Sequence, residues 1–495
     1  MSELQDLVAL IRANTPLIVI ETRDESRVVD LFRQALMQTW RELYRWSITE
    51  GLRRLDMDRE DPPHVAPDAT HTFQAIRDAG QRGVYLLFDM HPYLGYAGSQ
   101  RMLRDLIARR DCQPHVLVLI GHSIELPADI ESLAVRVRPK LPDANARLKI
   151  VREEAEHYAR EHGGRRVAVD AEAVQQIVRN LRGLDPVDVR RIARQLIFAD
   201  GALGMDDVPR LAKLKFELLN RSGHLHYEFD NVQLDDVAGA RRLKRWVEQR
   251  RGVFLAAEPP PGLDPPKGML LLGVQGCGKS MLAKAVAAGL GVPLVRLDFG
   301  TLYDKFHGET EKNLRVALES VEQLEPCVLW IDEIEKGLST DEGNGDGGVS
   351  RRVLGFLLTW MAERRSRVFL VATANQIDAL PPELLRKGRF DEIFFVDLPD
   401  AATRAQLFAL HLKKRGLDPS AFDTAALAAA SDGFSGAEIE QAIVSGLYAA
   451  HAGGAPLSDC GLRAELKATR PLSVVMAERV AALREWARER TVPAD

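Results

Sequence analysis

The stretch MLLLGVQGCGKS, residues 269–280, decides the fold. Met269 to Leu272 form an apolar run that reads as a buried strand, and MLAKAVAAGL, from Met281, has the apolar spacing and composition of a helix. Between them Gly273, Gly278, Lys279 and Ser280 fit the pattern GxxxxGK[ST]. The order strand, glycine-rich loop, helix is a chemical requirement. It brings backbone N–H groups of the loop and of the helix start onto a polyanion. Glycines let the chain wrap closely around phosphates, Lys279 supplies a point charge, and the Ser280 hydroxyl suits Mg2+. A plain strand-turn-helix would share the same order, so the neighbouring segments have to decide.

Downstream, CVLWIDE (327–333) is an apolar strand ending in Asp332 and Glu333. Carboxylates at a buried strand tip are costly without a task. Asp332 suits the Mg2+ shell, and Glu333 suits a general base that polarises an attacking water. A third strand, RVFLVATAN (367–375), ends at Asn375, a polar group able to place that water. LLRKGRFDE (384–392) then carries Arg386 and Arg389 three residues apart, which taken singly also read as surface ion-pair partners. Together these segments point to a nucleotide hydrolase, with Lys279, Glu333 and Asn375 as its catalytic candidates.

Composition sets the outer limits. The 495 residues are 46% hydrophobic and 28% charged, with net charge −5, which suits several folding units and shows no basic excess for a nucleic-acid partner. The cysteines, at 112, 277, 327 and 460, lack CxxC spacing and read as reduced thiols. No signal-peptide layout and no membrane-length apolar run is present, so a cytoplasmic location is expected. The absence of HExxH excludes a zinc protease half.

The run GLDPPKGMLLLGVQGCGKS, CVLWIDE, VATANQIDALPPELLRKGRFDE and GFSGAEIEQAI, in that order, resembles the core of an AAA ATPase over residues 229–450. That group contains membrane AAA proteases, katanin-like severing enzymes and vacuolar sorting ATPases. The resemblance implies a phosphate loop from Gly273 through Gln275, Gly276, Cys277, Gly278 and Lys279 to Ser280, followed by Met281. It implies Asp332 and Glu333 as the acidic pair, Asn375 as first sensor, and Arg386 and Arg389 as fingers acting on a neighbouring subunit. A homo-oligomeric ring, normally a hexamer, follows. Val237, Ala238 and Gly239 resemble the segment laid against adenine, Gly436 and Ala437 the second sensor turn, and His411 a histidine near the nucleotide. Val274 and Gln275 replace two usual prolines and Cys277 a usual threonine, which alters loop stiffness more than charge. Lys305-Phe306-His307 matches the pore loop that grips a polypeptide in unfoldases, although Phe306 packed as core is the alternative. GLSTDEGNGDGGVSRRV (337–353) reads as a second pore loop or a surface turn, and PLSVVMAERVAALREWARER (471–490) as an amphipathic helix closing the lid or meeting a neighbour.

A weak internal repeat organises the rest. TPLIVIETRDESRVVDLFRQAL echoes the phosphate-loop segment without glycine or lysine in its loop, and ELYRWSITEGL echoes PLVRLDFGTL. GVYLLFDMHPY echoes CVLWIDEIEKG with Asp89 set against Asp332, and HVLVLIGHSIELPADI echoes the sensor strand. LPDA recurs at 141–144 and 398–401, and GLDPVDVRRIA echoes GFSGAEIEQAI. The expected fold class is therefore α/β: a P-loop NTPase parallel sheet with a C-terminal helical lid, preceded by a degenerate AAA-like α/β module with its own lid. The expected boundaries are 1–145 for the degenerate domain, 146–218 for its lid and 219–236 for a linker. The active ATPase domain is set at 237–400, and 401–495 is a helical lid and terminal helix. The whole layout resembles a family of bacterial, cyanobacterial and plastid-encoded AAA ATPases known as a hypothetical chloroplast reading frame. Three activities fit: a ring that remodels or threads protein substrates, an ATP-switched scaffold binding a partner or adaptor through the first module, and a nucleic-acid motor, against which the acidity speaks.

Overall fold

In a computed structural model of the protein, the described residues are 3–55, 68–79, 82–108, 115–220, 223–228, 232–256, 259–302, 309–338, 347–386 and 388–495. Its apolar runs, lacking polar alternation, become strands covered on both faces. In the first unit, β1 (Leu17–Glu21), β2 (Glu42–Ser47), β3 (Gly51–Arg54), β4 (Gly83–Phe88), β5 (Val116–Gly121) and β6 (Val135–Val137) make one sheet. Its order is β3-β2-β4-β5-β1-β6, parallel throughout except for the β2–β3 hairpin. Alternate residues serve opposite faces, with Leu17, Val19, Leu117 and Leu119 on one side and Ile18, Ile20, Val118 and Ile120 on the other.

The second unit holds a short ladder, β7 (Ala168–Val169) with β8 (Ala202–Leu203), and a larger sheet. The larger sheet contains β9 (Leu225–Glu228), β10 (Gly268–Gly273), β11 (Leu294–Leu297), β12 (Cys327–Ile331), β13 (Val368–Ala374), β14 (Glu392–Val396) and β15 (Val492–Pro493). Its order is β15-β14-β10-β13-β12-β11-β9, with only β9 antiparallel to its neighbour. Met269 and Leu271 enter the core on one face, Leu270 and Leu272 the core on the other.

The two sheets share one plan. The order β6-β1-β5-β4-β2 repeats as β14-β10-β13-β12-β11, and an antiparallel strand closes the same edge in each. That edge strand has different origins: β3 is the hairpin return of β2, whereas β9 precedes β10 and comes from the segment expected as linker. Among the described residues β15 has no counterpart in the first sheet.

Four helices follow each sheet: Ala144–Glu161, Ala171–Asn180, Pro186–Asp200 and Asp207–Leu219, then Ala401–Lys414, Thr424–Ala430, Gly436–Ala452 and Asp459–Ala468. Their details match. The recurring LPDA supplies a carboxylate cap each time, Asp143 accepting from the Ala146 N–H at 2.8 Å and Asp400 from the Thr403 N–H at 2.7 Å. A buried arginine one turn on donates to the LPDA proline carbonyl in both copies, Arg147 to Pro142 at 2.6 Å and Arg404 to Pro399 at 2.9 Å. Gly183 and Gly433 are both left-handed, at φ +85° and +77°, just before the third helix.

The terminal segment breaks into Leu472–Val475 and Ala477–Ala487. Val480, Leu483 and Ala487 pack into the core of the large sheet rather than into the lid, and Arg484 pairs with Asp397 at 2.9 Å.

Candidate active site

The phosphate-loop signature lies where its chemistry needs it. β10 ends at Gly273, and the helix Lys279–Leu290 starts behind Gly278, which is left-handed at φ +85° and gives no side-chain cap. The helix start thus keeps its N–H groups open to an anion. Lys279 is 7% exposed, and its ammonium donates to the carbonyls of Gly273 at 2.9 Å and Val274 at 2.8 Å. Burial pushes its pKa down, while Cys277, Glu335, Asp332 and Glu333 push it up. Gly273 itself is not brought to the cavity wall. It serves packing instead, because a Cβ there would meet the Val396 carbonyl at 2.0 Å.

Beside the loop is a cavity of about 770 Å³. Gln275, Gly276, Cys277, Gly278, Lys279, Ser280 and Met281 line it together with Asp332, Glu333 and Asn375. Val237, Ala238 and Gly239 line it too, as do His411, Gly436 and Ala437 of the lid. Arg386 and Arg389 are absent from the walls: Arg386 is exposed, and Arg389 donates to the Glu383 carbonyl. Lys305, Phe306 and His307, with 339–346 of the glycine-rich acidic connector, lie outside the described residues.

One hydrogen-bond chain joins the acidic pair to the sensor strand. Ser280 Oγ donates to Asp332 Oδ1 at 3.3 Å, and Thr373 Oγ1 donates to the same oxygen at 2.6 Å. Thr373 Oγ1 also accepts the Glu333 N–H at 2.9 Å. Glu333 sits in the left-handed region at φ +48°, and its Oε1 accepts from Asn375 Nδ2 at 2.9 Å. The Asn375 N–H donates to Glu335 Oε1 at 2.8 Å. Glu335 is 5% exposed and burial pushes its carboxyl up. Lys336 pairs with Glu333. Ser280 and Asp332, two adjacent oxygen donors, form the kind of set a hard divalent cation takes.

Lid and loop are tied directly, the Ala437 N–H donating to the Gly276 carbonyl at 3.1 Å. A capping box at Ser435 and Glu438 starts the lid helix, and Glu438 also accepts the Leu472 N–H at 2.6 Å. Burial holds the His411 imidazole below its usual range, with Glu440 opposing and Lys414 and Arg415 adding. His411 Nδ1 has no hydrogen-bond partner among the described residues. Burial pushes the Cys277 thiol up to about 12, so it stays protonated.

The first sheet shows the same architecture with the chemistry removed. Only Thr22, Arg23 and Asp24 separate β1 from the helix Glu25–Leu36, against Val274–Gly278 in the second copy. Asp24 caps that helix itself, accepting the Arg27 N–H at 3.1 Å, so a carboxylate stands where a phosphate would need open donors. Arg23 spans toward Asp188 at 3.7 Å. The strand tip also corrects the residue pairing expected from the repeat. The left-handed residue past β4 is Asp89, at φ +50°, so Asp89 stands at the place of Glu333, and buried Phe88 at that of Asp332.

Sequence reasoning missed Thr373, Glu335, Lys336 and the segment Pro493–Asp495, which also lines the cavity. A threonine inside an apolar strand carries no period signal, and the terminal residues fit no motif. Glu335 is visible in the sequence as the second glutamate of IDEIE.

Comparison with known proteins gives three family matches. Residues 269–398 match the ATPase family associated with various cellular activities (AAA). Residues 3–138 match the N-terminal domain, and 145–222 the second domain, of SpoVK-like AAA ATPases. The chain is 32% identical over 494 residues to an uncharacterized AAA domain-containing protein ycf46 of Guillardia theta, covering 98% of this chain and 95% of that one. It is 32% identical to the ycf46 protein of Pyropia yezoensis, covering 98% of each. A cell division cycle protein 48 homolog of Archaeoglobus fulgidus is 34% identical over 222 residues, 43% of this chain and 30% of its own.

Proposed function

The chain belongs to the AAA ATPase family that includes the ycf46 proteins, and from that premise we propose an ATP-driven ring that remodels protein substrates. The working site lies in residues 237–400, closed by the lid and terminal helix of 401–495. Residues 1–145, with their lid 146–218, form the degenerate partner module that meets substrate or adaptor, and the linker 219–236 leads from it into the working module, whose sheet takes β9. The observation that carries this reading is the chain Ser280–Asp332–Thr373–Glu333–Asn375 beside an uncapped helix start.

Lys279 leaves its two loop carbonyls to meet the β and γ phosphates, exchanging neutral acceptors for charged ones. Ser280 and Asp332 would hold Mg2+, which supplies positive charge against the phosphate oxygens when bound. Glu333 polarises the attacking water, and Asn375 both places that water and fixes the Glu333 carboxylate. Arg386 and Arg389, absent from the walls of their own cavity, serve the adjoining subunit of a hexamer. Transition-state assistance of that kind is worth on the order of 10³ to 10⁵ in rate in GTPases. Gly239 and Val237 meet the base, and the lid turn Gly436–Ala437 senses the nucleotide through its bond to Gly276. Lys305, Phe306 and His307 grip the polypeptide, with the Phe306 ring offering apolar area to any sequence. The cytoplasm is the expected compartment.

Glu333→Gln should retain ATP while phosphate release falls at least a hundredfold. Phe306→Ala should keep ATP turnover and lose the unfolding of a tagged fluorescent protein substrate. Undiminished processing by Phe306→Ala refutes threading.

A further inference from the structure

We propose that residues 492–495 build the base-side wall of the nucleotide cavity and that the Asp495 carboxylate accepts the exocyclic amino group of adenine. This rests on the reading of the cavity as an ATP site.

The segment is held there by backbone bonds rather than by chance contact. β15 pairs in parallel with the edge strand β14, setting Val492 against Phe394 and Pro493 against Phe395. Its ladder continues past the strand, since the Ala494 N–H donates to the Phe395 carbonyl at 2.9 Å. The Leu243 N–H donates to the Ala494 carbonyl at 3.1 Å, at the start of the helix Arg241–Leu255. Ala494 is 4% exposed and packs with Val237 and Ala240 in the core under the adenine-side segment.

Asp495 is thereby fixed at the cavity wall. One of its oxygens, Oδ1, accepts both the Arg241 N–H at 3.3 Å and the Arg241 side chain at 2.7 Å. Oδ2 accepts neither of these bonds. It lies 3.4 Å from the point where a Cβ on Gly239 would stand, and Thr403 Cγ2 lies 3.1 Å from the same point. Thr403 Oγ1 lies 3.4 Å from it as well, so Asp495 Oδ2 packs closely on Gly239, which is left-handed at φ +68°, beside the segment read as laid against the base. Lys279, Ser280 and Asp332 line the same cavity. A base laid against Val237–Gly239, with its phosphates at Lys279, brings its edge to Oδ2. A carboxylate can only accept, and the amino group of adenine is a donor that a purine without it cannot replace.

The test uses the full chain and compares equilibrium binding of ATP with that of purine riboside triphosphate, which lacks the amino group. The wild type should prefer ATP. Asp495→Ala should weaken ATP about tenfold, the scale of one hydrogen bond to a charged acceptor, and bind the analogue as the wild type does. Unchanged analogue binding also reports an intact pocket in the variant. Asp495→Asn keeps an acceptor oxygen and should retain more than half of the preference on a logarithmic scale. An Asp495→Ala variant that weakens both triphosphates alike, or neither, overturns the assignment. A wild-type chain that binds neither overturns the ATP-site reading instead.

Discussion

Replacing Thr373 by valine tests the active-site geometry through a residue that touches no phosphate. The side chain is 1% exposed, and valine has nearly its shape, so packing is preserved. Two hydrogen bonds vanish: the one Oγ1 donates to Asp332 at 2.6 Å and the one it accepts from the Glu333 N–H at 2.9 Å. Stranding a buried amide costs about 1–3 kcal/mol, and a carboxylate losing a donor costs a similar amount. The loss falls on a residue already held at φ +48°, a backbone region that costs a side-chain-bearing residue about 1–2 kcal/mol. The strand tip then relaxes, and Glu333 leaves Asn375. If about 2 kcal/mol of this reaches the transition state, kcat falls about thirtyfold. ATP affinity should hold within about threefold, because Lys279 and Ser280 are untouched. Thr373→Ser restores the hydroxyl and should return most of the rate. The assay is phosphate release at saturating ATP, with nucleotide binding measured alongside. A Thr373→Val protein turning over within twofold of wild type refutes the reasoning.

Two further outcomes follow from the same site. Arg386→Ala should bind ATP nearly as the wild type does yet lose hydrolysis in the assembled state, and adding it to wild-type subunits should depress turnover more than dilution does. Purely additive activity on mixing contradicts assistance between subunits. His411 is held neutral by burial, below its ordinary 6.5. The unfolded chain therefore takes up that proton first, and the stability this residue contributes is complete above about pH 6.5 and is lost as pH falls toward the depressed value. Thermal unfolding of nucleotide-free wild type and His411→Gln, followed from pH 8 to 5.5, should shift in favour of the variant on acidification, and a constant difference refutes it.

Much of this architecture was legible because burial on both faces leaves an unambiguous record. The apolar runs at 269–272, 327–331 and 368–372 announce central strands; Asp332, Glu333 and Asn375 stand just past two of them, and Lys279 and Ser280 open the helix after the loop that follows the first. The repeat was legible for the same reason, and LPDA carried it further, since the same carboxylate cap and the same arginine-to-proline bond recur. What escaped was set by register and by long-range pairing. Asp89 looked like Asp332 by residue type, yet backbone geometry sets it against Glu333. Thr373 does its work through a hydroxyl in a strand whose pattern registers only burial. β9 and β15 owe their existence to open sheet edges made by distant segments, and neither has a sequence period of its own.

If only the second module works, the chain carries one nucleotide site, the first being closed to phosphate by its short loop and the Asp24 cap. Equilibrium dialysis of the Glu333→Gln chain against labelled ATP tests this most directly. The prediction is one ATP retained per chain, unhydrolysed, and none once Lys279→Ala is added. Two ATP per chain, or retention that survives loss of Lys279, would contradict it.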